Sequence, residues 1–406
     1  MSKEIVFVTR FFPKASETFV VSNVVEAIKK GFSVRVIAQE VAPVMESSQE
    51  SLLKKYKVMD VTTAFTEPIE KKERLKKAVY YLCNPVLLFY FLKYVYVKKK
   101  VSLSYIFLLH FYKPYRKAAA FHVHFATVSG SISILKKIGF ISSKLMVTFH
   151  GYDAFYKNEQ EKLDWQDRYA LLFRVADRIT CNTPYLKAQI ETIGKPRVGI
   201  KTVPMGIDTA YYTPQQHPKE LIKNETIRIL SIGRLIEFKG HIYGIQAVNV
   251  LVTKGYNIHY TIIGDGVLEH ELQQLIDQLG LQQHVKLYGS ATQEEIKTLL
   301  EKTHLFLMTS IKDARGREET QGVVTAEAQA MGVPVVGFES GGVPYTITPN
   351  TGVLVPQKDV EALAQAMKQV LEDPMRYKVM SQEAQQWIRK EFSLSQMTSN
   401  FYDDFI

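Results

Sequence analysis

The sequence is poor in cysteine and has no recognisable leader. Only Cys83 and Cys181 are cysteines among 406 residues, so a disulfide framework and a thiolate zinc site are excluded. The first residues, "MSKEIVFVTR", run directly into an apolar, strand-like stretch, without the charged region, longer apolar segment and cleavage site of a secretory leader. We therefore expect a protein of the reducing cytoplasm.

Internal repeats and low-complexity tracts are also missing. Hydrophobic residues make up 46% and charged residues 23% of the sequence, values that are ordinary for a folded protein. A chain of 406 residues is too long for one ordinary domain. We expect two domains of similar size.

The positive charge lies almost entirely in the first half of the chain. Residues 1–200 carry a net formal charge of +15, whereas residues 201–406 carry −5. Most of the excess falls in residues 71–144, where Glu73 is the only acid. Such asymmetry indicates an anionic partner, either a membrane or a nucleic acid.

Short β-branched runs alternate with helical patterns along the chain. The runs are apolar throughout, which is typical of central parallel strands that are covered on both faces. Repeated alternation of this kind predicts an α/β fold with two doubly wound domains. The predicted strands are residues 4–9, 33–38, 121–125, 145–150, 178–182, 201–206, 227–233, 258–264, 284–289, 304–310, 334–338 and 352–355.

A polar, proline-containing stretch at 208–226 separates the two sets of strands and predicts a linker. We place the first domain at residues 1–206 and the second at 207–390. Residues 391–406 are expected to form a helix that packs back on the first domain. Two such domains create a cleft, and ligands bind at the carboxyl ends of the strands, so motifs that follow strands matter most.

Residues 71–120 form a basic and aromatic insert. The run Val79–Val97 is nearly apolar, but Asn84-Pro85 interrupts it and Lys93 lies inside it, which argues against a transmembrane helix. One or two amphipathic helices lying in an anionic membrane interface fit better. The alternative is a solvated charged face over an ordinary helical hairpin. RNA binding is disfavoured because no RNA-binding motif accompanies the insert.

The segment "SIGRLIEFKG" follows the first predicted strand of the second domain. It puts Arg234 and Lys239 at the carboxyl end of that strand. A guanidinium fork and an ammonium point charge together suit a diphosphate. Taken by itself, the segment fits a surface turn with two solvated basic residues better than a diphosphate site.

The segment "ETQGVVTAEA" predicts a second half of an anion site. Gly322 permits a close backbone approach, and Val323, Val324 and Thr325 are expected to offer free N–H groups at a helix start. Glu319 lies in the preceding loop, and Glu327 falls just beyond the first helical turn. The alternative for Glu327 is an ordinary exposed glutamate that stabilises the helix.

Histidines mark the cleft side of the first domain. The segment "TFHGYDAF" follows a strand and is expected to point His150 into the cleft. His122 and His124 share one face of a strand, and we interpret them as structural because no third metal ligand lies near them. Ser16 is a plausible N-cap for the first helix. The segment "IIGDG" matches only half of a dinucleotide fingerprint.

Together these motifs resemble the retaining GT-B glycosyltransferases of family 4, of the bacterial capsule and exopolysaccharide type and similar to the colanic-acid glycosyltransferases. The resemblance covers nearly the whole chain. The "P-x-x-SETF" start is similar to the branch that acts on lipid-linked polysaccharide precursors. The motifs that carry it are "SIGRLIEFKG", "IIGDG", "YGS", "EETQGVVTAEAQAMGVPVVGFESGGVP", "FFPKASETFV", "HVHF" and "TFHGYD".

The resemblance implies a GT-B fold, in which two Rossmann-like domains face each other across a cleft, and a role for each motif residue. Arg234 and Lys239 are implied to hold the donor diphosphate. Glu327 is implied to bind the ribose hydroxyls and Glu319 to contact the donor sugar. The Gly322–Val324 backbone completes the phosphate cradle.

His150 is implied to lie near the anomeric carbon, and no metal or cofactor is implied beyond a UDP- or GDP-sugar co-substrate. Many family members have Gly-Phe-Gly after the first glutamate, but this chain has Thr320-Gln321-Gly322, which leaves the donor sugar open.

Three functions remain open from the sequence. The first is a glycosyltransferase that lies on the inner face of the cell membrane and extends a lipid-linked saccharide, without a nucleic-acid partner. The second is an enzyme of the same fold that acts on a small soluble acceptor. The third is a basic membrane- or nucleic-acid-binding protein on a degenerate fold, which the intact set of Arg234, Lys239, Glu319 and Glu327 disfavours.

Overall fold

The chain folds around two parallel sheets, one in each half of the sequence. The structure is a computed structural model that describes residues 3–14, 17–215, 217–221 and 225–406. The first sheet has seven strands and the second has six, and all described strand pairs are parallel. The predicted pair of doubly wound α/β domains is confirmed.

The first sheet has the strand order β3-β2-β1-β4-β5-β6-β7. Helices cover both of its faces, because the inner strands are apolar on both sides. The elements are β1 (Glu4–Phe12), α1 (Thr18–Lys29), β2 (Ser33–Val41), α2 (Glu50–Lys55), β3 (Thr62–Ala64), α3 (Lys71–Leu82), α4 (Pro85–Lys98), α5 (Ser104–Tyr112), β4 (Ala120–His124), α6 (Gly130–Lys137), β5 (Lys144–Phe149), α7 (Glu159–Val175), β6 (Arg178–Cys181), α8 (Pro184–Ile193) and β7 (Ile200–Thr202).

The second sheet has the order β10-β9-β8-β11-β12-β13. Strands β9 and β10 add to one side of β8, and the chain then crosses back so that β11, β12 and β13 add to the other side. The elements are β8 (Ile227–Ile232), α9 (His241–Thr253), β9 (Ile258–Ile263), α10 (Glu269–Gln278), β10 (Val285–Gly289), α11 (Gln293–Lys302), β11 (Leu305–Met308), α12 (Val323–Ala330), β12 (Val335–Phe338), β13 (Gly352–Val355), α13 (Val360–Leu371), α14 (Pro374–Glu391) and α15 (Leu394–Tyr402).

All twelve predicted strands are present, but sequence reasoning missed β3. This strand is the three-residue edge of the first sheet, and its side chains are only partly buried. An edge strand of this length leaves no apolar run to detect. The predicted cap at Ser16 lies outside the described residues, and α1 begins at Thr18.

The insert differs from the prediction of one or two surface helices. It forms three helices, α3, α4 and α5. Helix α5 is largely core, because Ile106, Phe107 and Leu109 are buried in the main cluster of the first domain. The predicted break is confirmed: the Asn84 side chain accepts hydrogen bonds from the amides of Val86 and Leu87 and starts α4.

Within the described residues, no single helix is long and apolar enough to cross a membrane. Helices α3 and α4 are long and apolar enough only when they are taken together. They are bent by 109° relative to each other at the break.

The chain passes between the domains twice, at 203–207 and at 391–394. These two crossings lie side by side, with Ile207 bridged to Ser393. After the second crossing, α15 packs against α1 of the first domain. Arg178 and Lys201 of the first sheet bind the carboxylate of Asp404 just beyond this helix. The C-terminal segment is therefore part of the first domain's packing.

Candidate functional site

The loops that follow β8 and β11 bring the two predicted anion motifs together. Gly240 has a φ of +61°, and a Cβ at this position would lie 2.1 Å from the carbonyl oxygen of Thr309. Only glycine lets the start of α9 approach the end of β11 this closely. Arg234 and Lys239 both lie in the loop between β8 and α9, beside the loop that carries Glu319.

Lys239 and Glu319 form an ion pair. Lys239 Nζ lies 2.6 Å from Glu319 Oε2, and the two side chains are only 17% and 14% exposed. The neighbouring Glu318 points elsewhere, since its carboxylate accepts hydrogen bonds from Tyr185 and Gln357. The contacts thus separate the two adjacent glutamates, and Glu319 is the one that faces the cationic loop.

Gly322 starts α12 with a φ of +76°. A Cβ here would lie 2.9 Å from the Met308 side chain, so the position favours glycine. Among the described residues, the backbone amides of Val323 and Val324 have no hydrogen-bond acceptor. The expectation for Thr325 is wrong, because its amide donates to the carbonyl of Gly322 at 2.9 Å. Two amides, not three, are therefore available at this helix start.

Glu327 lines a cavity between the domains. The cavity has a volume of about 710 Å³ including the solvent at its mouth, and Tyr211, Tyr212 and Gln293 line it beside Glu327. Burial raises the pKa of the Glu327 carboxyl to about 7, and the nearby Tyr212 hydroxyl opposes this rise. The carboxyl of Glu327 therefore titrates near neutral pH.

His150 follows β5 and is held at both its main chain and its ring. Its amide and that of Gly151 donate to the buried carboxylate of Asp153, at 3.0 and 2.9 Å. Its imidazole packs between the rings of Phe19 and Phe125, with centroid distances of 4.5 and 4.6 Å. Burial, followed by the proximity of His124, lowers the pKa of His150 well below its ordinary value. His150 is therefore a neutral imidazole near neutral pH.

The loop 318–321 is docked on the first domain. Thr320 Oγ1 accepts a hydrogen bond from Nδ2 of the Asn182 side chain at 3.0 Å and donates to the His150 backbone carbonyl at 3.2 Å. The Gln321 side chain bonds both the amide and the carbonyl of Met205, at 2.8 and 2.9 Å. Thr320 and Gln321 are the residues that depart from the family pattern, so this departure supplies contacts between the domains.

Close packing supports the same contact. A Cβ on Gly151 of the first domain would lie 2.7 Å from Thr320 Cγ2. On the other side of the loop, within the second domain, a Cβ on Gly342 would lie 1.8 Å from the Thr320 carbonyl oxygen. The Thr183 hydroxyl donates to that same carbonyl at 2.7 Å. His150 from the first domain and the Glu319 loop from the second domain are thereby brought into one site.

Sequence reasoning missed several residues of this site. Tyr185, Asn182 and Thr183 follow β6, and their position after a strand was the available signal. His124 was assigned a structural role, and its ring contacts His150 directly, with Nδ1 3.0 Å from His150 Nε2. Within the described chain, no group of three or more His, Cys, Asp or Glu residues is arranged to hold a metal ion.

Comparison with known proteins agrees with the geometry. Residues 213–387 match the family model of glycosyl transferases group 1, and residues 16–211 match that of glycosyltransferase family 4. The amylovoran biosynthesis glycosyltransferase AmsK of Erwinia amylovora is 31% identical over 89% of each chain. The putative colanic acid biosynthesis glycosyltransferase WcaL of Escherichia coli K12 is 29% identical over 88% of this chain and 87% of its own.

Solved structures share the whole fold at low sequence identity. Anabaena Alr3699/HepE in complex with UDP has a TM-score of 0.72 at 17% identity and covers 100% of this chain and 99% of its own. TarM has a TM-score of 0.70 at 12% identity, over 100% of this chain and 99% of its own. Both halves of the chain and their arrangement therefore match the GT-B architecture, and the chain belongs to the family 4 and group 1 glycosyltransferases.

Proposed function

We propose that this glycosyltransferase moves a sugar from a UDP- or GDP-sugar to a lipid-linked saccharide during the synthesis of a cell-surface polysaccharide. The observation that carries the proposal is the Lys239–Glu319 pair, 2.6 Å apart beside the start of α12. The pair supports a site in which a cation that can bind phosphate lies next to a carboxylate that can accept hydrogen bonds from sugar hydroxyls. Relatives named for amylovoran and colanic acid biosynthesis, and a neighbour solved with UDP-glucose, support the substrate classes.

Each residue of the site has a role in this proposal. Arg234, Lys239 and the amides of Val323 and Val324 bind the diphosphate, where negative charge develops as the nucleotide leaves. Glu327 accepts hydrogen bonds from the ribose hydroxyls. Glu319 accepts hydrogen bonds from hydroxyls of the donor sugar. The nucleotide sugar is a co-substrate, and the reaction needs no further cofactor or metal.

We propose that the transfer retains the configuration at the anomeric carbon. A glycosidase-like route requires an acid and a nucleophilic carboxylate on opposite sides of the bond. Glu319 is paired with Lys239 and is therefore poorly suited to nucleophilic attack. A front-face route, in which the departing phosphate helps to deprotonate the acceptor hydroxyl, fits these residues better. His150 positions the reacting groups.

Thermal unfolding with UDP, GDP and ADP tests donor binding. A nucleotide that binds the native state raises Tm, and the responding base identifies the donor. Arg234→Ala combined with Lys239→Ala removes the response, whereas Lys254→Ala on the far end of α9 retains it. A protein that none of the three nucleotides stabilises contradicts the proposal. Transfer from a panel of nucleotide sugars to membrane extract then identifies the sugar.

The surface of α3 and α4 supports a location on the inner face of the membrane. We name this surface the basic aromatic face. Lys98, Lys99 and Lys100 are exposed next to Tyr96, which is 85% exposed. Aromatic rings beside lysines suit an anionic lipid interface. The exposed apolar members of the face are Leu75, Val79, Tyr80, Val86, Leu88, Phe89, Leu92, Tyr96 and Val101.

Flotation with vesicles of phosphatidylglycerol and phosphatidylcholine tests this location. We expect binding that falls with added salt and is lost when Lys98, Lys99 and Lys100 are all changed to Glu, since each lysine near the surface contributes about 1 kcal/mol. Changing the exposed Lys254, Lys286 and Lys302 to Glu is the matched control. Equal binding by both triple variants contradicts the membrane location. Full activity on a small soluble saccharide would favour the second function.

A further inference from the structure

A buried chain of hydrogen bonds connects the C-terminal helix α15 to His150. It passes through β4 and α1, so it joins residues that are far apart in sequence. Asn23, His122, His124 and Thr148 in this chain are all buried. The links are Thr180 Oγ1 to Thr148 Oγ1 at 2.6 Å, Thr148 Oγ1 to His122 Nε2 at 2.7 Å, His122 Nδ1 to Tyr402 OH at 2.7 Å, Tyr402 OH to Asn23 Oδ1 at 3.4 Å, Asn23 Nδ2 to His124 Nε2 at 3.4 Å, and His124 Nδ1 to His150 Nε2 at 3.0 Å.

Asn23 gives this chain its direction, because an amide has distinct donor and acceptor atoms. Its carbonyl oxygen faces the hydroxyl of Tyr402, and its NH₂ group faces His124 Nε2. An NH₂ group can only donate. With the Asn23 amide in this orientation, His124 Nε2 accepts a hydrogen bond and carries no proton.

The state of His124 Nε2 determines the tautomer of His150. Burial lowers the pKa of His124 to about 3, so its ring is neutral and has one N–H group. With Nε2 accepting, that proton lies on Nδ1, which then donates to His150 Nε2. His150 is neutral for the same reason, and its own proton must lie on Nδ1.

The other arm of the chain is consistent with this direction. Tyr402 donates to Asn23, so it accepts from His122 Nδ1. His122 Nε2 is then an acceptor for Thr148, and Thr148 an acceptor for Thr180. Each group in this row of hydrogen bonds thus donates to the next group toward His150, and no two donors face each other.

We propose that His150 acts on substrate as a hydrogen-bond donor through Nδ1–H, and that His124 is the positioning residue that holds it in this form. No described residue hydrogen-bonds His150 Nδ1, and the side chain is only partly buried, so Nδ1–H is available to a ligand. A neutral imidazole with Nε2 occupied and Nδ1 protonated cannot accept the proton of the acceptor hydroxyl. It can donate to an oxygen atom of the donor or acceptor.

The contact with substrate rests on the proposed sugar transfer, whereas the tautomer rests only on the hydrogen bonds and the burial of the protein's own residues. The two parts are therefore tested separately. The tautomer is read from the ¹⁵N shifts of the imidazole nitrogens in protein labelled with ¹⁵N-histidine, and His150→Gln assigns the signals. We expect a protonated Nδ1 and an unprotonated Nε2 in the wild-type protein. A protonated Nε2 overturns the proposal, even if no substrate has been identified.

Two variants of His124 test its role. Asn and Leu have nearly the same shape, and both remove the imidazole that stacks on Phe7. Only Asn has an N–H group near the position of Nδ1. We expect His124→Asn to keep the Nδ1–H form of His150 and to lower kcat by about threefold at most, and His124→Leu to lose that form and lower kcat by about tenfold, the usual value of one hydrogen bond.

The pair of variants distinguishes positioning from stability. Both variants are expected to lower Tm to a similar extent, so a merely structural role affects kcat equally in the two. Equal kcat in His124→Asn and His124→Leu, or an unchanged His150 tautomer in His124→Leu, overturns the positioning role. If neither variant folds, the wild-type ¹⁵N spectrum alone decides the tautomer. If the tautomer is as expected but no nucleotide sugar is used, only the proposed function fails.

Discussion

Lys239 Nζ and Glu319 Oε2 lie 2.6 Å apart, and this contact joins the residue predicted to hold the donor diphosphate to the residue predicted to contact the donor sugar. Both side chains are mostly buried, so the pair is less screened by solvent than an exposed one. A diphosphate at Lys239 competes with the Glu319 carboxylate for the same ammonium group.

This competition predicts opposite effects on binding and turnover. Glu319→Gln removes the competing charge, so we expect UDP or GDP to bind at least about threefold more tightly, since this mostly buried pair is worth no less than the roughly 0.6 kcal/mol of an exposed pair. Turnover should fall by about tenfold or more, because the sugar loses a charged hydrogen-bond acceptor. Titration calorimetry and steady-state kinetics measure the two effects. Glu271→Gln, at an exposed glutamate of α10, is the control, and weaker nucleotide binding by Glu319→Gln would show that Glu319 contacts the nucleotide.

The raised pKa of Glu327 predicts a pH dependence of nucleotide affinity. The carboxylate is the form that accepts hydrogen bonds from both ribose hydroxyls, so affinity should rise as the pH rises through about 7. In Glu327→Gln, affinity should be lower and independent of pH in this range. Calorimetry with the responding nucleotide across the range provides the measurement, and a flat wild-type profile contradicts the assignment.

Glu327 also predicts a pH dependence of stability. Its folded-state pKa of about 7 lies above the ordinary value of 4.5, so between these values the folded state binds more protons than the unfolded state. The free energy of unfolding therefore falls as the pH rises through this window. We expect Glu327→Gln to have a higher Tm than the wild type above about pH 7, with a difference that shrinks toward about pH 4.5. A difference that is independent of pH would refute this.

The docked Thr320 loop predicts an unusual sensitivity at Gly342. A Cβ there would lie 1.8 Å from the Thr320 carbonyl oxygen, although the backbone conformation itself is ordinary for alanine. Gly342→Ala must therefore displace the loop, and we expect kcat/KM to fall by about a hundredfold, as for other misplacements of about 1 Å. Gly199→Ala, where a Cβ would meet no atom within 4 Å, is the control. Similar kcat/KM in both variants would mean that loop 318–321 can be displaced without loss of activity.

The contacts between the domains predict a change in overall dimensions. The Tyr185 hydroxyl donates to Glu318 at 2.7 Å, and Thr320 bonds Asn182. Tyr185→Phe together with Thr320→Val removes these bonds but keeps the shapes of the side chains. We expect a larger radius of gyration in X-ray scattering and a higher KM for the donor. Tyr345→Phe, at an exposed tyrosine, is the control. Unchanged scattering would show that other contacts hold the domains together.

The strands and the motif residues were predictable from the sequence, because both depend on local pattern. Apolar runs such as Ile227–Ile232 form central strands wherever a parallel sheet covers both faces. Residues that follow such strands must lie at one edge of the sheet, so the location of Arg234, Lys239 and His150 could be predicted, whereas their roles remain predictions. The three-residue β3 and the core helix α5 were not identified correctly, since a short edge strand and a lysine-flanked buried helix have misleading local patterns.

The pairing of residues across the chain was decided only by the tertiary structure. The spacing to Glu327 favoured Glu319 over the adjacent Glu318, but packing of loop 318–321 against the first domain is what directs Glu318 to Tyr185 and Glu319 to Lys239. The connection between His124 and His150 likewise requires α1, β4, β5 and α15 to meet in one core. Hydrogen bonds between distant residues depend on side-chain direction and burial, which local sequence does not contain.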